Sequence, residues 1–130
     1  MSSEKAASGG GDPRRATGRE GERLARSMLE AKGWRIRDAN WRCKLGELDL
    51  VAEDGDCLVL VEVRTRRGDR FGSPEASVGR DKQARLRRLG AAYVQQSRWP
   101  GSWRIDVVAI ELGRRGEVVR AEHYRNAVGG

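Results

Sequence analysis

Histidine and phenylalanine occur once each in this chain, proline three times and cysteine twice among 130 residues. Cys43 and Cys57 sit in or beside strand-like segments, and two such residues make neither a disulfide framework nor a zinc site. The reducing cytoplasm is then the simplest compartment. His123 reads as a surface-turn residue with no catalytic part. Long apolar runs are missing too. The longest, residues 57–61, is far too short to cross a membrane. Residues 1–11 carry no apolar stretch, which argues against a classical signal peptide. No internal repeat is visible. The apolar fraction is 38% and the mean hydropathy −0.71, low enough that part of the chain is expected to be tail. What remains is the size of one domain, able to bury a core without disulfides or a structural metal.

Acidic residues are scarce in one place only. Residues 1–63 hold 11 Lys/Arg and 12 Asp/Glu, residues 64–104 hold 11 and 3, and residues 105–130 hold 4 and 4. The net charge of +7 is therefore concentrated in a central segment. That is the footprint of a surface that contacts a phosphate backbone. Lysine is rare (Lys5, Lys32, Lys44 and Lys82 alone), so an arginine bias is at work. The bias explains Arg in place of Lys but not a segment nearly free of carboxylates.

Residues 1–16, rich in Ser, Gly, Ala and charge, read as a disordered tail. A single domain is expected over 17–125 and a flexible C-terminus over 126–130. Thr17-Gly18-Arg19-Glu20 reads as a capping box that opens a helix ending at Gly33. Gly21, Leu24, Ala25, Met28 and Leu29 form its apolar face, with Glu22 at the flank. Strands are expected over 34–42, 45–53 and 57–66, with Asp54-Gly55 as a hairpin turn between the last two. A two-residue turn there sets Glu47 opposite Glu62 and Asp49 opposite Leu60. The third strand is apolar on both faces at its start, which predicts a central, covered position. A loop over 67–79 contains Phe71-Gly72-Ser73-Pro74. A second helix follows over 80–96, with Lys82, Leu86, Leu89 and Tyr93 on one face and Arg85 and Arg88 off it. Strands over 103–112 and 117–124 complete the order α-β-β-β-α-β-β. The fold class expected is an α/β sandwich around a mixed sheet.

The hairpin gathers carboxylates on one face. Asp49 and Glu62 become diagonal neighbours at roughly 7–8 Å between backbones, within bridging reach of one cation. Unneutralised like charges destabilise a sheet, and a hard cation removes that cost. Magnesium takes one or two carboxylates, keeps several waters and binds phosphate oxygens. A surface ion-pair ladder of Glu47, Glu62 and Arg64 is the simpler reading, and such ladders contribute little. Against it, Glu62 and Arg64 end a strongly apolar run. Asp49 also sits between Leu48 and Leu50, where strand-interior Asp is disfavoured. Asp106, on an apolar strand, reads as a structural partner for a buried arginine. Of the four tryptophans, Trp99 beside Pro100 is the best exposed candidate for base stacking.

These residues carry a resemblance. Gly46-Glu47-Leu48-Asp49-Leu50-Val51-Ala52, Asp54-Gly55 and Leu60-Val61-Glu62-Val63-Arg64-Thr65-Arg66 resemble the YraN family of uncharacterised bacterial proteins. Gly18-Arg19, Gly21-Glu22, Phe71-Gly72-Ser73-Pro74, Lys82, Arg85-Leu86, Ala92-Tyr93 and Arg104-Ile105-Asp106-Val107-Val108 extend the pattern over about residues 17–124. That family is similar to archaeal Holliday-junction resolvases within the restriction-endonuclease-like superfamily. The resemblance implies a magnesium-dependent endonuclease core acting on structured or branched DNA, with manganese able to replace magnesium. It places the metal on Asp49, Glu62, Glu22 and the Val63 carbonyl, and Arg64 where the catalytic lysine usually stands. Leu48 stands where the pattern has Pro. Arginine stays protonated near neutral pH, so Arg64 can orient water or clamp phosphate but cannot act as a base. Lys82 is the alternative source of an amine. Arg66, Arg67, Arg70, Arg85 and Arg88 are the expected DNA contacts. A resolvase that makes two symmetric cuts works as a homodimer. Two other readings stay open: a nucleic-acid-binding module on a degenerate nuclease fold, and a basic protein that docks on a protein or RNA assembly.

Overall fold

A computed structural model describes residues 13–68 and 78–128, with the backbone alone for 13–16. Its elements are α1 (Pro13–Ala31), β1 (Arg35–Cys43), β2 (Gly46–Asp54), β3 (Cys57–Arg67), α2 (Arg80–Ser97), β4 (Trp103–Leu112) and β5 (Val118–Tyr124). The order is the one expected. The strands form one sheet in the spatial order β1-β2-β3-β4-β5. Only β3 and β4 run parallel, joined through α2. The other neighbours are antiparallel, so the sheet is mixed and β3 is its middle strand.

The sheet is covered on both faces. Ala25 and Leu29 of α1 pack with Leu50, Ala52, Val59, Val61, Val108 and Ile110. Leu86, Leu89 and Tyr93 of α2 pack with Val51, Leu58, Leu60 and Ile105 on the other side. Alternate β3 residues thus feed two cores, which is why this strand is apolar on both faces.

Several expectations are corrected. Helix α1 begins at Pro13, a turn before the supposed cap, and Thr17 is buried within it. Proline suits the first helical turn because its fixed φ is helical and its missing N–H has no partner there anyway. Pro13, not Thr17, is the start signal, so the tail expected over 1–16 is shortened. Its residues 1–12 lie outside the described part. The stop at Gly33 holds, with φ +86 and its N–H on the Glu30 carbonyl at 2.9 Å.

The hairpin turn is Gly55-Asp56, since Asp54 pairs with Cys57. Gly55 takes the left-handed φ of +58 that this turn requires. The register is displaced by two residues from the expected one, so Glu47 does not face Glu62. An even displacement keeps the expected facing over the paired stretch, Leu50 to Asp54. Before it β2 turns over at Asp49, since Leu48 packs in the α2-side core and Leu50 in the α1-side core. Arg66 and Arg67 end β3 rather than lying in a loop. Arg70 and the segment Phe71-Gly72-Ser73-Pro74 lie outside the described residues.

The C-terminal expectation also changes. Ala127 N–H bonds the Ile105 carbonyl at 2.9 Å and Val128 is buried, so 126–128 are packed. Residues 129–130 lie outside the described part. The anchor is Asp106, which is fully buried. Its Oδ1 accepts from Arg104 Nε at 3.0 Å and from Asn126 N–H at 2.8 Å. Its Oδ2 lies 2.8 Å from His123 Nε2. The structural role read for Asp106 is borne out. His123 is not on a turn. It lies in β5, with its Nδ1 2.7 Å from Lys32 Nζ and its ring edge-on to Trp34. Both cysteines are free. Trp99 donates to the Ser102 carbonyl and packs on the α2 side, under the Arg37 guanidinium.

Asp106→Ala leaves the Nε of half-buried Arg104, an imidazole and a backbone N–H without their acceptor. We expect a loss of about 3–5 kcal/mol in urea unfolding, against about 0.5 kcal/mol or less for a surface change such as Arg26→Ala.

Candidate metal and phosphate site

The site forms where β2 parts from β3. Their ladder runs from Asp54↔Cys57 to Leu50↔Val61. Beyond that pair the next β3 donor is taken by a side chain: Val63 N–H donates to Asp49 Oδ2 at 2.8 Å. This explains an aspartate inside an apolar strand, since its carboxylate replaces a missing backbone acceptor.

Glu62 is adjacent, 3% exposed at the end of the apolar run. Two cations converge on its Oε2, Arg64 Nη1 at 3.1 Å and Lys82 Nζ at 3.4 Å. Lys82 lies in the first turn of α2, on the face that carries Leu86 and Leu89, and reaches the carboxylates past the packed core. Glu22 comes from α1, on the other side of the sheet. The helix sits so close to β3 at this point that a Cβ on Gly21 would lie 1.9 Å from Thr65 Oγ1. That buried hydroxyl has no hydrogen-bond partner among the described residues.

The carboxylates influence one another. Burial, the charge of Glu62 and that of Glu22 push the Asp49 carboxyl up to about 8, against the opposing pull of the Val63 N–H and Lys82. Burial raises Glu22 as well, with Glu47 and Glu62 adding to the rise and a hydrogen bond from Asn40 working against it. Glu47, on β2, also pairs loosely with Arg42 at 3.7 Å.

The structure therefore brings Glu22, Asp49, Glu62, Arg64 and Lys82 together, with Val63 between them. Among the described residues no three His, Cys, Asp or Glu side chains close on one point in this arrangement. Arg85 and Arg88 are exposed on α2, Arg66 and Arg67 half-buried at the end of β3. Two depressions of about 440 and 560 Å³ lie elsewhere, one along Arg37, Trp41 and Tyr93 and the other by Gln83, His123 and Tyr124. Sequence reasoning missed Asn40, whose signal was a polar residue in a strand next to Trp41. It also missed the network in which Tyr93 OH donates to Asp38 and accepts from Arg37, because a tyrosine on an apolar helical face reads as core.

The chain matches known sequences over most of its length. The model of "Uncharacterised protein family UPF0102" covers residues 21–110. A UPF0102 protein of Pelotomaculum thermopropionicum is 47% identical over 89% of this chain and 98% of its own length. One of Streptomyces coelicolor is 48% identical over 92% and 95%, and one of Beutenbergia cavernae 50% identical over 85% and 93%.

Two predictions follow from the packing and the charge. Gly21→Ala forces α1 away from β3 and costs about 1–3 kcal/mol in chemical denaturation. The second concerns the metal-free protein in chelator. Asp49 holds its proton to a higher pH folded than unfolded, so between about pH 4 and pH 8 the folded state binds more protons. Stability then falls as pH rises through that window. Asp49→Asn removes this slope, and its melting temperature should match the parent near pH 4 and exceed it by roughly 4 °C or more at pH 8.

Proposed function

We propose that this chain, which belongs to the UPF0102 family, is a magnesium-dependent endonuclease that hydrolyses phosphodiester bonds in structured or branched DNA. The observation that carries the reading is the electrostatic coupling of Asp49 to Glu62 and Glu22, with two cations on Glu62, beside the basic segment. The donor set is all hard oxygen, which suits magnesium or manganese and not a soft metal. The Asp49 carboxyl, raised by burial and by the charges of Glu62 and Glu22, is also relieved by a divalent charge. Asp49 and Glu62 would hold the ion, with Glu22 and the Val63 carbonyl completing the set. A bound ion supplies charge for phosphate oxygens and acidifies a water.

The chain's own residues supply the rest. Asp49 is fixed through Val63 N–H, so its free lone pairs have a set direction. Glu62 is held by Arg64 and Lys82 and would give up part of that pairing to a bound ion. Arg64 then clamps a phosphate oxygen, and Lys82 offers an ammonium to the same region. Arg85 and Arg88 on α2, with Arg66, Arg67 and Arg70 before it, carry the DNA backbone. On this reading the chain acts in the cytoplasm, and two symmetric cuts would call for a homodimer. Among the described residues no helix is long and apolar enough to cross a membrane.

A binding module without cleavage is the second reading. Arg64 in the usual lysine position favours it, as do the two ion pairs that occupy Glu62.

The deciding assay offers duplex, flap, single-stranded and four-way DNA with magnesium and with manganese. We expect cleavage of at least one structured substrate, kept or raised by Arg64→Lys and lost in Arg64→Ala. If parent and Arg64→Lys bind DNA tightly but cut none of it, the binding module is the correct reading. If Lys82→Ala removes cleavage and Arg64→Ala does not, the amine on α2 is the catalytic cation. Reversing Arg85 and Arg88 together should lower the slope of log affinity against log salt by about two units. An unchanged slope moves the contact surface elsewhere.

A further inference from the structure

Asn40 lies within β1 at φ +55, a left-handed conformation rare in a strand and tolerated by Asn better than by most residues. Its effect is to reverse the facing of β1. Asp38 and Trp41, three residues apart, should point to opposite faces. Both instead reach Tyr93 of α2. Asn40, between them, reaches the site. One atom of its amide lies 3.0 Å from Glu47 Oε2 and 3.2 Å from Glu22 Oε1, and we assign that atom as the nitrogen. Ionised carboxylates only accept, so the NH2 group faces them, one hydrogen for each. A single side chain thus ties α1, β1 and β2 at the rim of the carboxylate cluster.

Glu22 and Glu47 repel each other and belong to different elements. Without a shared donor they would separate, and Glu22 would turn to solvent. We propose that Asn40 is a positioning residue that holds Glu22 as the third carboxylate of the cation site, its left-handed backbone serving to aim the amide. The proposal rests on the magnesium reading above.

Asn40→Gly separates the backbone from the clamp, since glycine adopts φ +55 without strain. The test is calorimetric titration of the full chain with magnesium chloride, for the parent, Asn40→Gly, Glu22→Gln and the double variant. We expect Asn40→Gly to melt within a few degrees of the parent and to bind magnesium about tenfold more weakly. Glu22→Gln should weaken binding by a similar factor, and the double variant no further than Glu22→Gln alone. Cleavage by Asn40→Gly should approach the parent's rate at saturating magnesium. Unchanged magnesium affinity in Asn40→Gly overturns the proposal, and so do additive effects in the double variant. A large fall in melting temperature with affinity intact overturns it as well, because Asn40 is then a structural tie. A parent that binds no magnesium overturns both readings, and this is visible in its own isotherm. A parent that binds magnesium but cuts no DNA ends the nuclease reading alone, and the same four isotherms still decide the role of Asn40.

Discussion

The hydrogen bond from Val63 N–H to Asp49 ends one ladder and opens the space in which everything else is placed. A β2 strand paired with β3 to its end would fill the gap with backbone. Because the ladder stops at Leu50↔Val61, side chains from both helices enter instead. Lys82 arrives from the start of α2 and Glu22 from α1. Gly46, at φ +140, begins β2 against Leu89 and the Arg85 side chain. The rigid parts surround the opening. Glycine at position 21 lets α1 rest against Thr65, and the Asp106 cluster ties β4 to β5 and the chain end. The floor is central β3, covered on both faces, so a side chain fixed there moves little.

The charges have a division of place. The carboxylates occupy the notch, with Arg64 beside them and Arg85, Arg87 and Arg88 exposed on α2. On the proposed reading, a phosphate drawn to the basic surface meets the carboxylates at the notch, and a cation between the two relieves that opposition. Arg64 and Lys82 do so in part through Glu62, but Asp49 has no ion pair closer than 4 Å among the described residues and stays raised. This asymmetry favours an ion-dependent chemistry over a surface ion-pair ladder.

Much of this was legible in the residues. The periodicity of β3 and of α2 placed both cores, and Asp49 was marked by its apolar neighbours Leu48 and Leu50. Where reading failed, a local signal had two physical outcomes. Asp54-Gly55 and Gly55-Asp56 are both competent turns, and the chain takes the second; Asp49 still meets β3, through its side chain and Val63 N–H. Pro13 and Thr17 both open helices, and burial of Thr17 against the sheet settled the earlier start. His123 was misplaced because its partners Asp106, Lys32 and Trp34 are distant in sequence. Asn40 was passed over for a different reason. Its role depends on a left-handed φ, and one polar residue among several in β1 does not announce one.

The single lysine of the basic segment carries the last step. Ten of the eleven basic residues between 64 and 104 are arginine, so where charge alone is needed this chain uses arginine. The exception is Lys82, and it is the one that reaches Glu62 from α2, with its side chain 29% exposed. A guanidinium is a broad planar fork, suited to Arg64, which approaches the same oxygen along the strand. An ammonium is a compact charge on a thin stem with three donors, suited to an approach from α2. The geometry of the notch thus accounts for a lysine at position 82. Glu62 is thus held from two elements at once, along its own strand by Arg64 and from α2 by Lys82, and the different cation at each position matches the different approach.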